Sequence, residues 1–367
     1  MDTFEIIALC LNILFLIPTI ASITRFDQWW IRAFDFPRIQ ISVGIIITCI
    51  ICCFAYTFTS AWQFTALTLL FLSLIYQGIK IYPYTYLSKK QVKKYHGNDT
   101  DAMVSILISN VLTPNKHPER LVALVKKRQP DILLTLETDK RWEKELEVLE
   151  LEDGYKYTVK IPLDNLYGMH LYSKLKLLDA EVHYIMQKDI PSIHGMVELR
   201  NGEKISFHCL HPMPPSPTES YTSTNRDAEI LMLGRDLEKK DEKILVFGDL
   251  NDVAWSRTTK LFQEMSGLMD PRIGRGFFNT FHTGYRLLRW PLDHAFHSRD
   301  FNLVEIAREK SIGSDHFPMY IRLHYDPKAM NTQEELELDK EEEIWAREKI
   351  IDAQPLEKNI KIPRSMN

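Results

Sequence analysis

The sequence predicts an α/β domain preceded by three membrane-spanning helices. Two observations lead to this prediction. First, three nearly uncharged runs, residues 4–24, 41–58 and 62–79, follow one another near the N-terminus. Second, short apolar runs rich in β-forming residues alternate with helical patterns over residues 100–325. With 367 residues, the chain is long enough for a sizeable core and for more than one domain.

The three apolar runs are typical of membrane helices. Each is close to the ~20 residues that a helix needs to cross a hydrocarbon core of ~30 Å. No basic residue precedes the first run and no small-residue cleavage site follows it, which argues against a cleaved signal peptide. Tryptophan and tyrosine residues at the ends of the runs resemble interfacial aromatic belts. We therefore expect a membrane anchor at residues 1–87 and a lipid bilayer as a partner.

Basic residues occur in two segments that three crossings would place on the same side of the membrane. They are Arg25, Arg32 and Arg38 between the first two runs, and Lys89, Lys90, Lys93 and Lys94 after the third. The positive-inside rule assigns this side to the cytoplasm. We therefore expect an outward N-terminus and a cytoplasmic C-terminal domain.

Composition narrows the class of protein. The formal net charge of -4 does not require a nucleic-acid partner. Four of the five cysteines lie in the N-terminal apolar runs, and no cysteine or histidine pairs have zinc-ligand spacing. This pattern argues against a zinc site and against a disulfide framework in the C-terminal part. Nothing in the sequence sets the oligomeric state.

After the anchor we expect a basic linker (residues 88–100), a core domain (101–326) and a charged C-terminal helix and tail (327–367). Apolar β-rich runs predict strands at residues 103–109, 132–136, 155–160, 169–173, 181–185, 196–200, 204–210, 244–247, 292–297, 302–306 and 317–324. Helices are predicted from Pro118 to the break at Pro130 and at residues 139–150, 219–239, 256–265 and 333–351. We expect the last of these to be a solvated tail helix.

One stretch organises the core domain. Ile244–Phe247 reads as a short buried strand, and Gly248 then allows a tight turn. Asp249 and Asn251 follow with one residue between them, so their side chains point the same way at the end of the strand. The carboxyl ends of strands are a common place for sites in α/β proteins. Taken alone, however, Gly-Asp after a strand is also an ordinary turn.

Polar residues recur where the other predicted strands end. The set is Asn110, Glu137, His211, Asp249, Asn251, Asp293, Asp315 and His316. Each residue alone has an ordinary explanation as a turn, cap or loop residue. Together they predict a convergent site, and converging carboxylates without a cation would repel one another. Mg²⁺ accepts one or two carboxylates together with water and phosphate oxygens, and histidines suit proton transfer near neutral pH.

The chain resembles the endonuclease/exonuclease/phosphatase superfamily of metal-dependent phosphodiesterases over residues 100–325. The matching segments are Ser109-Asn110, Leu136-Glu137, Leu210-His211-Pro212, Gly248-Asp249-Leu250-Asn251, Leu292-Asp293-His294 and Ser314-Asp315-His316. The three leading helices, which end in Tyr82-Pro83-Tyr84-Thr85, resemble a bacterial membrane-anchored branch. The resemblance implies a four-layer α/β/β/α sandwich of two mostly antiparallel sheets. It also implies location in the bacterial inner membrane.

The resemblance further implies a metal site and a reaction. Glu137 would be the principal ligand of Mg²⁺, with Mn²⁺ as the alternative ion, and Asn110 and Asp315 would complete or support the site. Asp249 would orient and deprotonate the attacking water, while Asn251 would hold the scissile phosphate.

The histidines of the motif would act on the same phosphate. His316, polarised by Asp293, would lie against it, and His211 would donate a second hydrogen bond to its oxygen. His208, three residues before His211, is the alternative for this role. His211 is preferred because it lies at the strand end. His294 is expected to support the site from behind, and His170 and His282 are expected to be structural or peripheral.

The loop at residues 270–290, rich in arginine and aromatic residues, directly precedes Asp293 and is expected to lie over the site. Arg275, Arg286 and Arg289 are predicted to bind substrate, because guanidinium forks suit phosphates. A packed loop with solvated arginines is an equally good explanation. The favoured substrate is a nucleic-acid phosphodiester, with a lipid head group as the alternative.

Two hypotheses of different class follow. The first is a membrane-anchored phosphodiesterase, most simply of the nuclease type, with a phospholipid or small-molecule phosphohydrolase as its variant. The second is a membrane-tethered binding module that has kept the fold without the activity. The intact polar set argues against the second hypothesis, because a decayed relative would usually lose at least one member.

Overall fold

The computed structural model of the chain describes residues 1–238, 242–338 and 340–357, and these residues form two units. The first unit contains Met1–Ser88 and the short segment Pro215–Ser223. The second contains Lys89–Pro214 and the chain from Thr224 onward. Each unit has its own core, so the two are described separately.

The first unit is helical. Its helices are α1 (Thr3–Ile23), α2 (Trp29–Arg32), α3 (Arg38–Ala55) and α4 (Ala61–Ile81). Three of them, α1, α3 and α4, are long and apolar enough to cross a membrane. Large apolar side chains such as Phe54 and Ile79 are exposed on their outer faces. This composition is the one expected of helices that face lipid.

A buried ion pair lies inside this unit. Arg38 is only 1% exposed, and its Nη2 donates to Asp35 Oδ1 at 2.5 Å. The Nη1 of Arg32 lies 3.4 Å from the other carboxylate oxygen of Asp35, Oδ2. Asp35 therefore offsets part of the positive charge from which the orientation was predicted, and the sidedness remains a prediction.

The second unit contains two β-sheets. One has the strand order β10-β11-β1-β2-β4-β3 and the other β5-β6-β7-β8-β9. The strands are β1 (Met103–Asn110), β2 (Ile132–Leu136), β3 (Tyr157–Ile161), β4 (Met169–Ser173), β5 (Lys176–His183), β6 (Ser192–Glu198), β7 (Lys204–Leu210), β8 (Ile244–Asp249), β9 (Asp293–His297), β10 (Phe301–Arg308) and β11 (Met319–Tyr325). Only β1–β2 and β7–β8 pair in parallel among these strands. The predicted sandwich of mostly antiparallel sheets is confirmed.

Helices cover both outer faces of the two sheets. Helices α5 (Pro118–Arg128) and α6 (Lys140–Glu152) pack on the six-stranded sheet. Helices α7 (Thr224–Leu237), α8 (Arg257–Ser266) and α9 (Lys340–Ala353) pack on the five-stranded sheet. A third cluster, which includes Ile106, Leu134, Phe207 and Phe247, fills the space between the sheets. The layers are thus helix, sheet, sheet, helix.

Strand β8 shows how the sequence dictates this layering. Leu245 and Phe247 point into the core between the sheets, whereas Ile244 and Val246 point towards the helices that cover the five-stranded sheet. Both faces are buried, so the strand reads as a continuous apolar run. At Gly248, where φ is +149°, a Cβ atom would lie 2.0 Å from the carbonyl oxygen of Leu210 in β7. Only glycine permits this approach, which brings the two strand ends together.

Several predicted boundaries differ from the structure. The helix predicted at 219–239 begins only at Thr224, because Tyr221 and Ser223 bond to Trp29 and Asp27 in the first unit. Residue 239 lies outside the described residues. The predicted strands 181–185 and 196–200 lie too late in the chain, since β5 and β6 begin several residues earlier.

The C-terminal helix is not a solvated tail. It begins at Lys340 rather than at residue 333, and Trp345, Ala346 and Ile350 are buried in the same apolar core as residues of α7 and α8. Its many charged residues lie on the outer surface. They outnumber the apolar residues in the sequence, so the pattern did not indicate a buried face. The predicted tail beyond residue 357 lies outside the described residues. Within the predicted linker, Val92 is fully buried in the core between the sheets.

Candidate active site

The polar residues predicted from strand ends lie at one edge of both sheets. Asn110 ends β1 and Glu137 follows β2, while His211 follows β7 and Asp249 ends β8. The antiparallel neighbours of these strands begin at the same edge, so they contribute the start of β9 and the residues that precede β11. Those residues are Asp293, Asp315 and His316. The parallel pair in each sheet therefore fixes where the site forms.

His316 lies between two carboxylates. Its Nδ1 lies 2.8 Å from Asp293 Oδ2, and its Nε2 lies 3.5 Å from Asp249 Oδ2. All three side chains are almost fully buried. Burial alone would lower the pKa of His316, but the charges of Asp293 and Asp249 outweigh burial and raise it to about 10. The imidazole is therefore protonated and cationic at neutral pH.

Asn110 links Asp249 to a third carboxylate of the site, Glu137. Its Oδ1 accepts a hydrogen bond from the Leu112 N–H, so its Nδ2 faces the site. This Nδ2 donates to Glu137 Oε1 at 2.8 Å and to Asp249 Oδ2 at 3.2 Å. In this arrangement Asn110 orients Glu137 and Asp249 instead of turning an oxygen towards a metal.

Glu137 has the features of a cation ligand. Its second oxygen, Oε2, is buried and has no hydrogen-bond partner in the part of the chain that the structure describes. Burial raises the pKa of Glu137 to about 7; the bond from Asn110 opposes this rise and the charge of Asp315 adds to it. Glu137 also adopts a left-handed φ of 60°, a strained conformation for this residue that aims its side chain into the site. An unpaired carboxylate oxygen beside a second carboxylate fits Mg²⁺, which prefers hard oxygen ligands.

A different group, Asp249, Asp293 and His316, has three potential ligand atoms within 4.8 Å of one another. The protonated His316, which lies between the two carboxylates, already offsets part of their negative charge. A cation there would have to displace that proton. Glu137 and Asp315 are therefore the better pair to hold a metal ion.

His211 and Asn251 line the side of the site formed by the five-stranded sheet. His211 Nε2 lies 4.0 Å from Asp249 Oδ2, and its Nδ1 has no hydrogen-bond partner among the described residues. Burial lowers the pKa of His211 to about 4 in spite of Asp249, so the ring is neutral at pH 7. Asn251 donates one amide hydrogen to Pro212 O at 3.0 Å, which leaves the other for a ligand. Its φ of 51° is a left-handed conformation that asparagine tolerates well.

Sequence reasoning missed the residue that supports Asn251 from behind. Arg226 of α7 is 2% exposed, and its Nη1 donates to Asn251 O at 2.8 Å. Its other nitrogens donate to Asp227 Oδ1. An arginine inside a helix pattern reads as a surface residue, so only its burial reveals this contact.

The other histidines lie away from the site's carboxylates. His208, the alternative to His211, is buried inside β7 with its Nδ1 2.7 Å from His194 Nδ1. The structure therefore brings His211, not His208, to Asp249. His294 lies behind the site, where it contacts Arg272 and the carbonyl of Asp252. His170 is buried in β4 beside Tyr172.

The structure separates the three arginines predicted to bind substrate. Arg275 is occupied by the backbone, since its guanidinium donates to the carbonyls of Pro271 and Val92. These contacts turn the guanidinium towards the backbone, and Val92 lies too far along the chain for the sequence to reveal its contact. Arg286 is exposed. Arg289 lies over the ring of Phe317, the residue after His316.

Two layers of helix on two sheets, with carboxylates and histidines at the ends of the central strands, define the class of protein. Residues 107–316 match the model of the Endonuclease/Exonuclease/phosphatase family. The chain belongs to this family, whose members hydrolyse phosphoester bonds and use divalent metals. The comparison with curated proteins gives no match.

Two solved structures show the same fold at low sequence identity. D. rerio TDP2 in complex with a single-strand DNA product is 16% identical with a TM-score of 0.51, and covers 61% of this chain and 100% of its own. A D. rerio TDP2 humanized by 14 mutations is 16% identical with a TM-score of 0.50, covering 61% and 99%. The catalytic domain of human Nocturnin is 17% identical with a TM-score of 0.49, covering 62% and 96%.

Proposed function

We propose that the protein is a membrane-anchored, Mg²⁺-dependent phosphodiesterase of the nuclease type. The observation that carries this proposal is the arrangement of His316 between Asp293 and Asp249, with Asn110 linking Asp249 to Glu137. A fixed cation, the protonated His316, therefore lies beside Asp249, the proposed carboxylate base. Phosphodiester hydrolysis needs both groups, because water must be activated while charge grows on the phosphate.

The residues of the site would divide the reaction among them. Glu137 and Asp315 would hold Mg²⁺, which when bound supplies charge neutralisation for the phosphate. Asp249 would orient the attacking water and accept its proton. The protonated His316 would donate to a phosphate oxygen, and the neutral His211 would give a second hydrogen bond without adding charge. Asn251 would hold the phosphate with its remaining amide hydrogen.

One observation supports a lipid or small phosphoester as a second candidate substrate. Beside the site, the tip of the loop at residues 270–290 exposes Tyr285, Leu287 and Leu288. Apolar side chains at a loop tip are suited to contact acyl chains. Anchoring by α1, α3 and α4 in the inner membrane, with the second unit in the cytoplasm, would give access to such a substrate as well as to nucleic acid.

A substrate panel tests the proposal. The full-length protein in detergent, with Mg²⁺ and separately with Mn²⁺, would be incubated with plasmid DNA, RNA, sphingomyelin, phosphatidylinositol phosphates and bis(p-nitrophenyl) phosphate. We expect hydrolysis of at least one phosphodiester, with nucleic acid cleaved fastest. Survival of every substrate would favour the binding-module hypothesis instead.

A further inference from the structure

Two arginines lie on one aromatic ring next to the site. The guanidinium carbon of Arg289 lies 4.9 Å from the centroid of the Phe317 ring, and that of Arg308 lies 4.5 Å from it. Arg289 comes from the loop before β9, and Arg308 is the last residue of β10. An aromatic ring attracts cations through its quadrupole, so Phe317 holds both groups together.

The remaining contacts of the pair are to backbone carbonyls. Arg289 donates to His282 O at 3.3 Å and to Thr283 O at 3.0 Å. Arg308 donates to Asn279 O at 2.9 Å. These carbonyls fix the direction of each guanidinium but carry no full negative charge.

The carboxylates closest to Arg308 in the chain form ion pairs with a different arginine. Glu305 and Glu309, which lie close to Arg308 in the chain, both form ion pairs with Arg128. Neither Arg289 nor Arg308 forms an ion pair within residues 1–238, 242–338 and 340–357. Burial, and to a lesser extent the charge of Arg289, lower the pKa of the Arg308 guanidinium. Two like charges are therefore held together, and an anion between them would relieve their repulsion.

The arginine pair is fixed relative to the catalytic residues. Thr283 donates its N–H to Asp315 O at 2.8 Å and its hydroxyl to Ser314 O at 2.7 Å. Phe317 donates its N–H to Thr280 O at 2.8 Å. Hydrogen bonds therefore hold the loop that carries Arg289 against the segment that carries Asp315 and His316.

We propose that Arg289 and Arg308 bind a second phosphate group of the substrate, next to the one whose ester is hydrolysed. Guanidinium forks bind phosphate oxygens in pairs, and two of them suit a doubly charged group. The inference rests on the proposed function, because it assumes that the scissile phosphate lies at His316. It predicts that the site prefers substrates with at least two phosphates, such as a nucleotide chain, over those with one.

Binding of small nucleotides tests this subsite without a need for turnover. The full-length protein in detergent, with Mg²⁺, would be titrated calorimetrically with thymidine 3′,5′-bisphosphate and with the 5′- and 3′-monophosphates. We expect the bisphosphate to bind about tenfold more tightly than either monophosphate, because one charge-assisted contact is worth roughly this factor. Equal affinity for all three ligands, or binding of none, would overturn the proposal.

Variants of Arg289 and Arg308 test whether these two residues cause the preference for the bisphosphate. Arg308→Gln, at an exposed position, should reduce the tenfold preference to about twofold or less, and Arg308→Lys should keep part of it because the charge remains. Arg289→Gln should act in the same way as Arg308→Gln. The matched control is Arg322→Gln on β11, since Arg322 also lies over an aromatic ring, that of Tyr320. A full preference in Arg308→Gln would contradict the assignment.

A parallel assay separates the two proposals. The same preparations would be tested on bis(p-nitrophenyl) phosphate, which carries a single phosphate. If the wild type hydrolyses no diester but still prefers the bisphosphate, the proposed function fails and the subsite stands. If the wild type hydrolyses diesters but shows no preference, the subsite fails and the proposed function stands.

Discussion

At the scale of single residues, the contact between Asp293 and His316 sets the charge of the site. The two carboxylates beside His316 keep its imidazole protonated at neutral pH against the cost of burial. A buried imidazolium is a strong hydrogen-bond donor to a phosphate oxygen that gains charge. In the proposed mechanism, Asp293 thus acts through His316 and does not need to touch the substrate.

Replacing Asp293 by asparagine should remove this effect. In Asp293→Asn the pKa of His316 should fall from about 10 towards neutral pH, because one of the two charges that raise it is gone. In the proposed mechanism protonated His316 is the active form, so the alkaline limb of the pH–rate profile should move to lower pH by more than one unit. We also expect kcat at pH 8 to fall by about a hundredfold.

The matched control for this substitution is Asp189→Asn, an exposed aspartate in the loop before β6. Its pH–rate profile should match that of the wild type. An unchanged alkaline limb in Asp293→Asn would mean that His316 does not act as the cationic donor.

Glu137 gives a second prediction at this scale. Its pKa of about 7 means that a proton competes with a metal ion for this carboxylate near neutral pH. A metal needs the deprotonated form, so Mg²⁺ affinity should rise as pH rises through 7. Below pH 7 we expect affinity to weaken by about tenfold for each unit, as measured by calorimetric titration between pH 5.5 and 8.5.

The variant Glu137→Gln provides the comparison. It should bind Mg²⁺ at least about a hundredfold more weakly at pH 8 and should lose the pH dependence below 7, because the amide does not titrate. If Glu137→Gln binds Mg²⁺ as tightly as the wild type, the metal site lies elsewhere, with the group of Asp249, Asp293 and His316 as the next candidate.

At the scale of secondary-structure elements, helix α7 supports the turn that carries Asn251. Arg226 joins the helix to the Asn251 carbonyl, and Lys349 of α9 lies 3.8 Å from Asp227, the partner of Arg226. All of these side chains except Asn251 are nearly fully buried. The left-handed turn at Asn251 is therefore held by two helices as well as by its own strand.

Arg226→Met should disturb both stability and activity. It leaves Asp227 buried with a weaker partner, which should cost about 3–5 kcal/mol and lower the melting temperature. If Arg226 acts only by positioning Asn251, as the contact with the Asn251 carbonyl indicates, Arg226→Lys should restore much of kcat/KM while stability stays reduced. Equal losses of kcat/KM in Arg226→Lys and Arg226→Met would contradict a positioning role.

How far the sequence predicted each element depends on how local its signal is. The ends of β1, β2, β7 and β8 were predictable, because each apolar run stops at a polar residue. The burial of α9 was not, because charged residues on its surface outnumber Trp345 and Ile350 on its apolar face. A local pattern also could not reveal which residues of the tail reach the core.

The same distinction applies to the site. Side chains that follow strands were predicted to converge, and the structure brings Asn110, Glu137, Asp249 and His316 together. Contacts between distant segments were missed, such as those of Arg275 with Val92 and Arg226 with Asn251. Partners far apart in sequence are set by the packed fold, which spacing alone does not encode.

At the scale of the whole molecule, a helical unit with three long apolar helices is joined to a phosphoesterase fold. If the first unit anchors the chain, the protein should stay with the membrane after an alkaline carbonate wash. A C-terminal green fluorescent protein fusion should fluoresce, whereas a C-terminal alkaline phosphatase fusion should be inactive. The reverse pattern would place the second unit outside the cytoplasm.

The most direct test of the central claim is hydrolysis of a phosphodiester by the full-length wild type and by Asp249→Ala, with Asp189→Asn as the control. With Mg²⁺ present, wild type and control should cleave plasmid DNA or bis(p-nitrophenyl) phosphate at similar rates. Asp249→Ala should be slower by about 10³-fold or more, because the base for the attacking water is lost. EDTA should abolish cleavage by all three. Hydrolysis by Asp249→Ala at the wild-type rate, or cleavage that persists in EDTA, would contradict the account.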